Sequence, residues 1–572
     1  MRAEPAPSGG SAGPVRLPSW AYAVVTVASL LIGVTAVVRG TSAIVVAQDS
    51  DLTNFFFKSA NYILQGDPWQ IYAARGSGLT STYPNFNPPL SMFLIAPLLS
   101  LAHALHAVSY GAQITVVSLP FVVLVPLLAY ITARILRWLY PEIPETQQFL
   151  AYMLIALSPL AWQSLTPWYH LEQPLMLCLL VLAIAALQGR HEGLAGLLGG
   201  LAFLTRTTAL MPLVALGVLL LVAREWRGLM RFGGVAAAVS FIGLLPFFLF
   251  DPRDTIYSLV SWRGGSQIGG NSIWSIVAYS GDDGSIRHLI NAVAERLDMY
   301  SVLLFIIIVA FLAARRRGIS AYGADAWAVV AIACLAVPML SKTIWPYYYL
   351  EPFVPLLIWE YATMYNRRGG VWRWPVLSIG FLCVAATLSQ FIGLHSVGYL
   401  DRVSVGLLGF GAMLAFAYFI WMRLGARKLD ASAAPGRASD RKQWRLGQGS
   451  FFEPTAAPAS PAASVAPASV APASVAPQPA PGGSVYAPPM VAPANPIPPI
   501  SPAQQAPKPM PKSKPMPQQQ PPSPSQQPPQ QQRPPAAPLW PPDPVERPTP
   551  SANGGEGAWP ELWSDDKRPP RQ

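Results

Sequence analysis

The sequence predicts an all-α polytopic membrane protein, a bundle of about twelve apolar helices followed by a long polar tail. Three observations carry that reading. The 572 residues are 52% hydrophobic and only 12% charged, against roughly 25% charged in an average soluble domain. The hydrophobic residues stand in long blocks, and a block of about 18 or more reads as a bilayer span. The basic residues behind the net charge of +11 fall in small clusters between those blocks. That is the positive-inside pattern of a membrane protein, and it points away from nucleic acid as a partner.

The clusters Arg134/Arg137, Arg224/Arg227/Arg231, Arg315–Arg317, Arg367/Arg368/Arg373 and Arg423/Arg427/Lys428 set the cytoplasmic side. Spans between them fall near 20–39, 111–134, 148–165, 172–188, 191–205, 208–223, 231–250, 300–314, 323–340, 345–361, 374–394 and 403–422. Both termini then lie inside. A further apolar stretch, 86–107, opens with Pro88-Pro89. A full span there would put Arg134 and Arg137 outside, so the stretch is expected to be re-entrant or interfacial on the outer face. The first span has a longer apolar run than a signal-peptide core and reads as an anchor. Cys178, Cys334 and Cys383 all lie inside apolar blocks, with no disulfide or metal-ligand spacing.

Three regions follow: a cytoplasmic segment 1–19, a membrane domain 20–429, and a tail 430–572 rich in Pro, Ala and Gln. The tail contains the repeat SVAPA and Gln/Pro runs, and buries too little apolar surface to offset its ordering entropy. It is expected to be disordered and cytoplasmic. Its last segment, with Trp540, Trp559 and Trp563, is a candidate docking point for a protein partner. On the opposite face the topology leaves two large outer loops, 40–110 and 251–299, and short outer turns near 163–172, 205–208 and 341–346.

The first outer loop carries Asp49 and Asp51 ahead of NFFFKSANYILQ. Read as a helix, Asp51, Asn54, Lys58, Asn61 and Gln65 step by three and four into one narrow polar stripe. Leu52, Phe55, Phe56, Ala60, Ile63 and Leu64 fill the wider face. That balance predicts a helix lying along the membrane surface. Asp51 then sits in its first turn, where the helix dipole favours a carboxylate. A plain N-cap would account for Asp51 as well, and Asp49 would then be a solvated loop acid.

The order of features resembles the multi-span glycosyltransferases of fold class C (GT-C), especially glycosyltransferase family 87. The matching elements are Asp51-Leu52, the turn Gly66-Asp67-Pro68-Trp69 with Tyr72, and Tyr83-Pro84-Asn85-Phe86-Asn87-Pro88-Pro89. To these add Leu201–Leu210, with Arg206 where lysine is more usual, and Gly270-Asn271-Ser272-Ile273, one residue shorter than the family element. The resemblance covers about residues 20–420 and leaves out the tail. It implies a GT-C-like bundle with outer-face loop helices in the cell membrane. It further implies an enzyme that moves a hexose, mannose first among candidates, from a polyprenyl-phosphate sugar to a glycolipid, glycan or protein acceptor outside the cytoplasm.

Such chemistry needs a base for the acceptor hydroxyl and cationic or hydrogen-bonding groups for the departing phosphate. Asp51 is the candidate base, with Asp49 second. Lys342 and Arg206, in short outer turns, are the phosphate candidates, although a cation there can also snorkel to headgroups. The turn Trp168-Tyr169-His170-Leu171-Glu172-Gln173 supplies Glu172, by resemblance a second carboxylate that orders the site, and His170 as a substrate contact. Asn271 joins them through the second loop. No cofactor is called for. Asp49 and Asp51 have the oxygen donors a divalent metal would use, whereas the resemblance implies metal-free transfer. A transporter or flippase, or a non-catalytic polysaccharide-assembly protein, is the alternative. A transporter would place charges at mid-membrane in two repeated halves, and no such repeat is visible. No GxxxxGK[ST] phosphate loop is present.

Overall fold

The computed structural model describes residues 17–42, 52–72, 85, 87–166, 169–261, 272–274, 284–342, 344–365, 374–392 and 399–425. The tail 430–572 lies outside them, as do Asp49, Asp51 and Asn271. Among the described residues every regular element is helical and there is no strand. Five helical stretches among the described residues are long and apolar enough to cross a membrane: Ser19–Thr41, Tyr110–Leu139, Trp226–Phe250, Met299–Arg317 and Val403–Leu424. Six further apolar helices are shorter, among them Glu172–Gln188, Glu192–Thr205 and Ala326–Leu340.

The two groups differ in what surrounds them. Four of the five long stretches have only 22%, 17%, 22% and 28% of their apolar window buried, so most of that apolar surface faces outward. Water would not tolerate such a surface, and lipid would solvate it. The short Ala326–Leu340 helix is buried at every position from Ala326 to Met339. It packs against Leu350–Tyr365, Leu210–Val222 and Tyr399–Gly425, so the protein's own helices provide its solvent.

Each apolar block predicted from sequence forms helix, with three differences in detail. The block 148–165 is broken: Glu145–Ala156 stops, Ser158 is extended, and Pro159 opens a second helix to Leu165. Proline lacks the N–H that would continue the ladder and disfavours helix at the residue before it. The block 300–314 belongs to one helix, Gly284–Arg317, reaching well back into the predicted second outer loop. Its upstream half spaces Ile286, Leu289, Ile290, Val293 and Leu297 at three and four around polar residues, which is a helical period despite the polarity. Cys383 is exposed while Cys178 and Cys334 are buried, because its helix turns that face outward.

The stretch 86–107 contains one 16-residue helix, Pro89–Ala104, too short for a perpendicular span of a roughly 30 Å core at 1.5 Å per residue. Met92, Ile95, Ala96 and Leu99 face inward and Phe93, Leu94 and Leu101 outward. The first-loop helix packs on it as Leu52–Phe57, wound wider than an α-helix, and Lys58–Leu64. Leu52, Phe55, Phe56 and Ala60 are buried as the stripe predicted, and Gln65 is exposed. Phe57, Ser59 and Tyr62 are buried too and Leu64 is exposed, so the segment is enclosed by other elements over most of its circumference. Gly66 ends it at φ +88°, with Asp67 N–H donating to Tyr62 O at 2.9 Å. This six-to-one closure needs a residue that tolerates positive φ, and glycine does so without strain.

Glycines also set how closely helices approach. On Glu192–Thr205, Gly196 and Gly200 face Trp226–Phe250. A Cβ on Gly200 would lie 2.8 Å from Val239 Cβ and 2.9 Å from Ala236 O. Small residues spaced by four are how apolar helices pack tightly where lipid offers no hydrophobic drive. At the Arg190 end of the bundle, Gln188 accepts from Tyr140 and Trp327 and donates to Gly323 O at 2.8 Å. Beside it the Arg190 guanidinium lies 3.3 Å above the Tyr322 ring. Glu360, also buried, accepts from Leu377 N–H, Ser378 N–H and the Ser378 hydroxyl. It thereby caps the Val376–Ile392 helix.

Candidate active site

The three short turns predicted to share one face converge in a buried polar cluster. The first comes off the Pro159–Leu165 helix. His170 N–H donates to Ser164 O at 2.7 Å, and Tyr169 is forced to φ +55° with its ring fully buried. A bulky residue in that region marks a conformation imposed by its surroundings. Gly40 makes room for it, since a Cβ there would overlap Thr166 Oγ1 and sit 3.0 Å from the Tyr169 hydroxyl. Past this turn the Glu172–Gln188 helix begins, with Glu172 and Gln173 in its first turn.

The second turn is Arg206, extended between Glu192–Thr205 and the short turn Thr207–Ala209. The third runs from Ser341 to Tyr349 and leads into Leu350–Tyr365, with Glu351 in its first turn. Exposures of 1% for Glu172, 0% for Gln173, 4% for Arg206 and 2% for Glu351 put all four inside the protein.

Arg206 is the hub. Its NH1 pairs with Glu172 Oε1 and lies 3.0 Å from His170 Nδ1, and its Nε donates to Glu351 Oε1 at 3.2 Å. One guanidinium thus spans two carboxylates, a geometry that suits arginine's fork and that lysine lacks. Burial works against the charge on Arg206. The Glu172 and Glu351 carboxylates outweigh it and hold the guanidinium's pKa above the ordinary arginine value. His170 Nδ1 is 2.9 Å from Glu172 Oε1, so one ring nitrogen lies within reach of both the carboxylate and the guanidinium. Glu351 Oε1 also accepts from the Thr208 hydroxyl at 2.8 Å and from Gln173 Nε2 at 3.2 Å. Gln173 Nε2 donates to Tyr347 O at 2.7 Å as well. The rings of Tyr347 and Tyr348 close one side, 5.1 and 5.6 Å from the Arg206 guanidinium carbon.

Of the residues singled out in the sequence, His170, Glu172 and Arg206 are in direct contact. Lys342 is fully buried in the same turn that delivers Tyr347 and Glu351. Asp49, Asp51 and Asn271 lie outside the described residues, but both large loops reach this region. Phe56, on the helix that follows Asp51, stands edge-on to His170 at 6.3 Å between ring centres. Trp274, three positions after Asn271, donates from Nε1 to Leu340 O at 2.8 Å, two residues before Lys342.

Sequence reasoning missed Glu351, Gln173 and Thr208. An acid in the first turn of a largely apolar helix was the available signal for Glu351. Among the described residues, no group of three His, Cys, Asp or Glu side chains is arranged to hold a metal ion. No protein-family model matches the chain, and no curated protein matches it.

Proposed function

We propose that this chain is a polytopic membrane glycosyltransferase of the GT-C kind, resembling family 87, with about twelve spans and both termini in the cytoplasm. It moves a hexose, mannose first among candidates, from a polyprenyl-phosphate sugar to an acceptor hydroxyl at the outer face of the cell membrane. The observation that carries the reading is the convergence of His170, Glu172, Arg206 and Glu351 from three separate turns into one buried cluster, beside the helix that follows Asp51. Buried charges inside an apolar bundle are costly, and are retained where they act.

In this reading Asp51, with Asp49 as the second candidate, takes the proton as the acceptor oxygen attacks the anomeric carbon. The bond from that carbon to the phosphate oxygen breaks, and the polyprenyl phosphate departs with the bonding electrons. Lys342 supplies positive charge for that phosphate. Arg206, held between two carboxylates, orders the site. The same buried ion pairs would also suit a transporter or flippase that moves a lipid-linked sugar without transferring it.

Membranes containing the full chain, offered a panel of radiolabelled polyprenyl-phosphate sugars and membrane extract as acceptor, separate the two readings. Transfer by the wild type that falls by about 100-fold or more in Asp51→Asn, with the protein at its normal level, is the expected result. Transport of the labelled lipid with no transfer to any acceptor would replace the transferase reading with the transporter one.

A further inference from the structure

Two buried oxygens in the cluster have no hydrogen-bond partner, Glu172 Oε2 and Gln173 Oε1. Both belong to consecutive residues of one helical turn. The amide orientation of Gln173 is fixed by its neighbours. Its nitrogen faces Tyr347 O at 2.7 Å and Glu351 Oε1 at 3.2 Å, both acceptors, so the unpaired atom has to be the oxygen. Glu172 spends Oε1 on His170 and Arg206 and keeps Oε2 unpaired. Buried acceptors left this way are destabilising unless something donates to them.

The chemistry of the missing donor can be narrowed. A phosphate brings only acceptors near neutral pH and would be repelled by a carboxylate oxygen. An ammonium would meet the Arg206 guanidinium, which already sits on the other oxygen of Glu172. A hydroxyl donates a hydrogen bond and brings no charge, and it suits a carboxylate and an amide oxygen equally. We infer that Glu172 Oε2 and Gln173 Oε1 form a hydroxyl-accepting subsite that takes O–H groups of the transferred sugar ring, separate from the groups that meet its phosphate. The inference rests on the transferase reading above and adds which atoms read the sugar.

The test uses the full chain in membranes and a series of polyprenyl-phosphate hexoses, each lacking one ring hydroxyl. A site built to hydrogen-bond a hydroxyl rejects the analogue without it by far more than an apolar pocket does. In the wild type, removing one or two particular hydroxyls is expected to lower kcat/KM by about 100-fold or more, and removing the others by much less. In Gln173→Met the penalty at one of those positions should shrink sharply, because the variant has no acceptor to lose. If no single hydroxyl matters by more than about 3-fold in the wild type, the subsite is wrong although transfer stands. That arm needs no variant to fold. Should the wild type transfer no sugar at all, the transferase reading fails. The subsite is then judged by whether methyl hexosides raise the unfolding temperature of the wild type and leave Gln173→Met unchanged. No shift in the wild type overturns it.

Discussion

Replacing Arg206 by methionine should be among the most damaging single changes in the membrane domain, and the structure says how damaging. The side chain is 4% exposed and is shared by Glu172 and Glu351, themselves 1% and 2% exposed. Methionine fills a similar length of space but leaves two carboxylates facing an apolar bundle with no cation between them. Breaking a buried pair by removing one partner costs about 3–5 kcal/mol. A loss of that size is expected, on the order of a hundred- to a thousand-fold or more in the unfolding constant. Removing the charges together should recover most of it, because a buried ion pair replaced as a unit by neutral groups is often close to neutral. The assay is reversible unfolding of the purified protein in mixed micelles, comparing the wild type, Arg206→Met, and Arg206→Met with Glu172→Gln and Glu351→Gln. Arg227→Met, at an exposed position, serves as the control. An Arg206→Met protein no less stable than the control would refute the argument, as would a triple variant no better than the single one.

Three further outcomes follow from the packing. Gly200→Val would drive a side chain into Val239 and Ala236 and should cost about 1–3 kcal/mol by overpacking. Gly234→Ala, with nothing within 4 Å of the new carbon, should be silent or slightly stabilising in the same unfolding assay. Glu360→Ala removes the acceptor for two backbone amides and one hydroxyl at the start of Val376–Ile392. A loss of about 1–2 kcal/mol is expected, read by faster backbone hydrogen exchange at Leu377 and Ser378.

Much of this arrangement was legible in the primary structure, for a physical reason. Long apolar blocks leave a bilayer protein few choices, and the arginine clusters divide the connecting turns into two sides. The turns holding His170, Glu172, Arg206 and Lys342 were therefore assigned to one face before any contact was known. What could not be read was pairing. Glu351 follows three tyrosines and precedes a proline in an apolar run, and nothing local says that Arg206, 145 positions earlier, will share it with Glu172. The break at Pro159 was missed because the hydrophobic period runs straight through it. The upstream half of Gly284–Arg317 was missed because its polar side looks like loop when only apolar blocks are sought.

The Glu172–Gln188 helix carries a glutamine near each end, and both are tied down. Gln173 grips Tyr347 and Glu351, while Gln188 grips Gly323, Tyr140 and Trp327. Fifteen residues separate them, about 22 Å along the axis. A rod clamped at two stations cannot slide without breaking both grips, and a turn of one residue would swing each amide through about 100°. The rod is thus a fixed gauge between the two ends of the bundle, and any rocking of the bundle has to be borne by other helices.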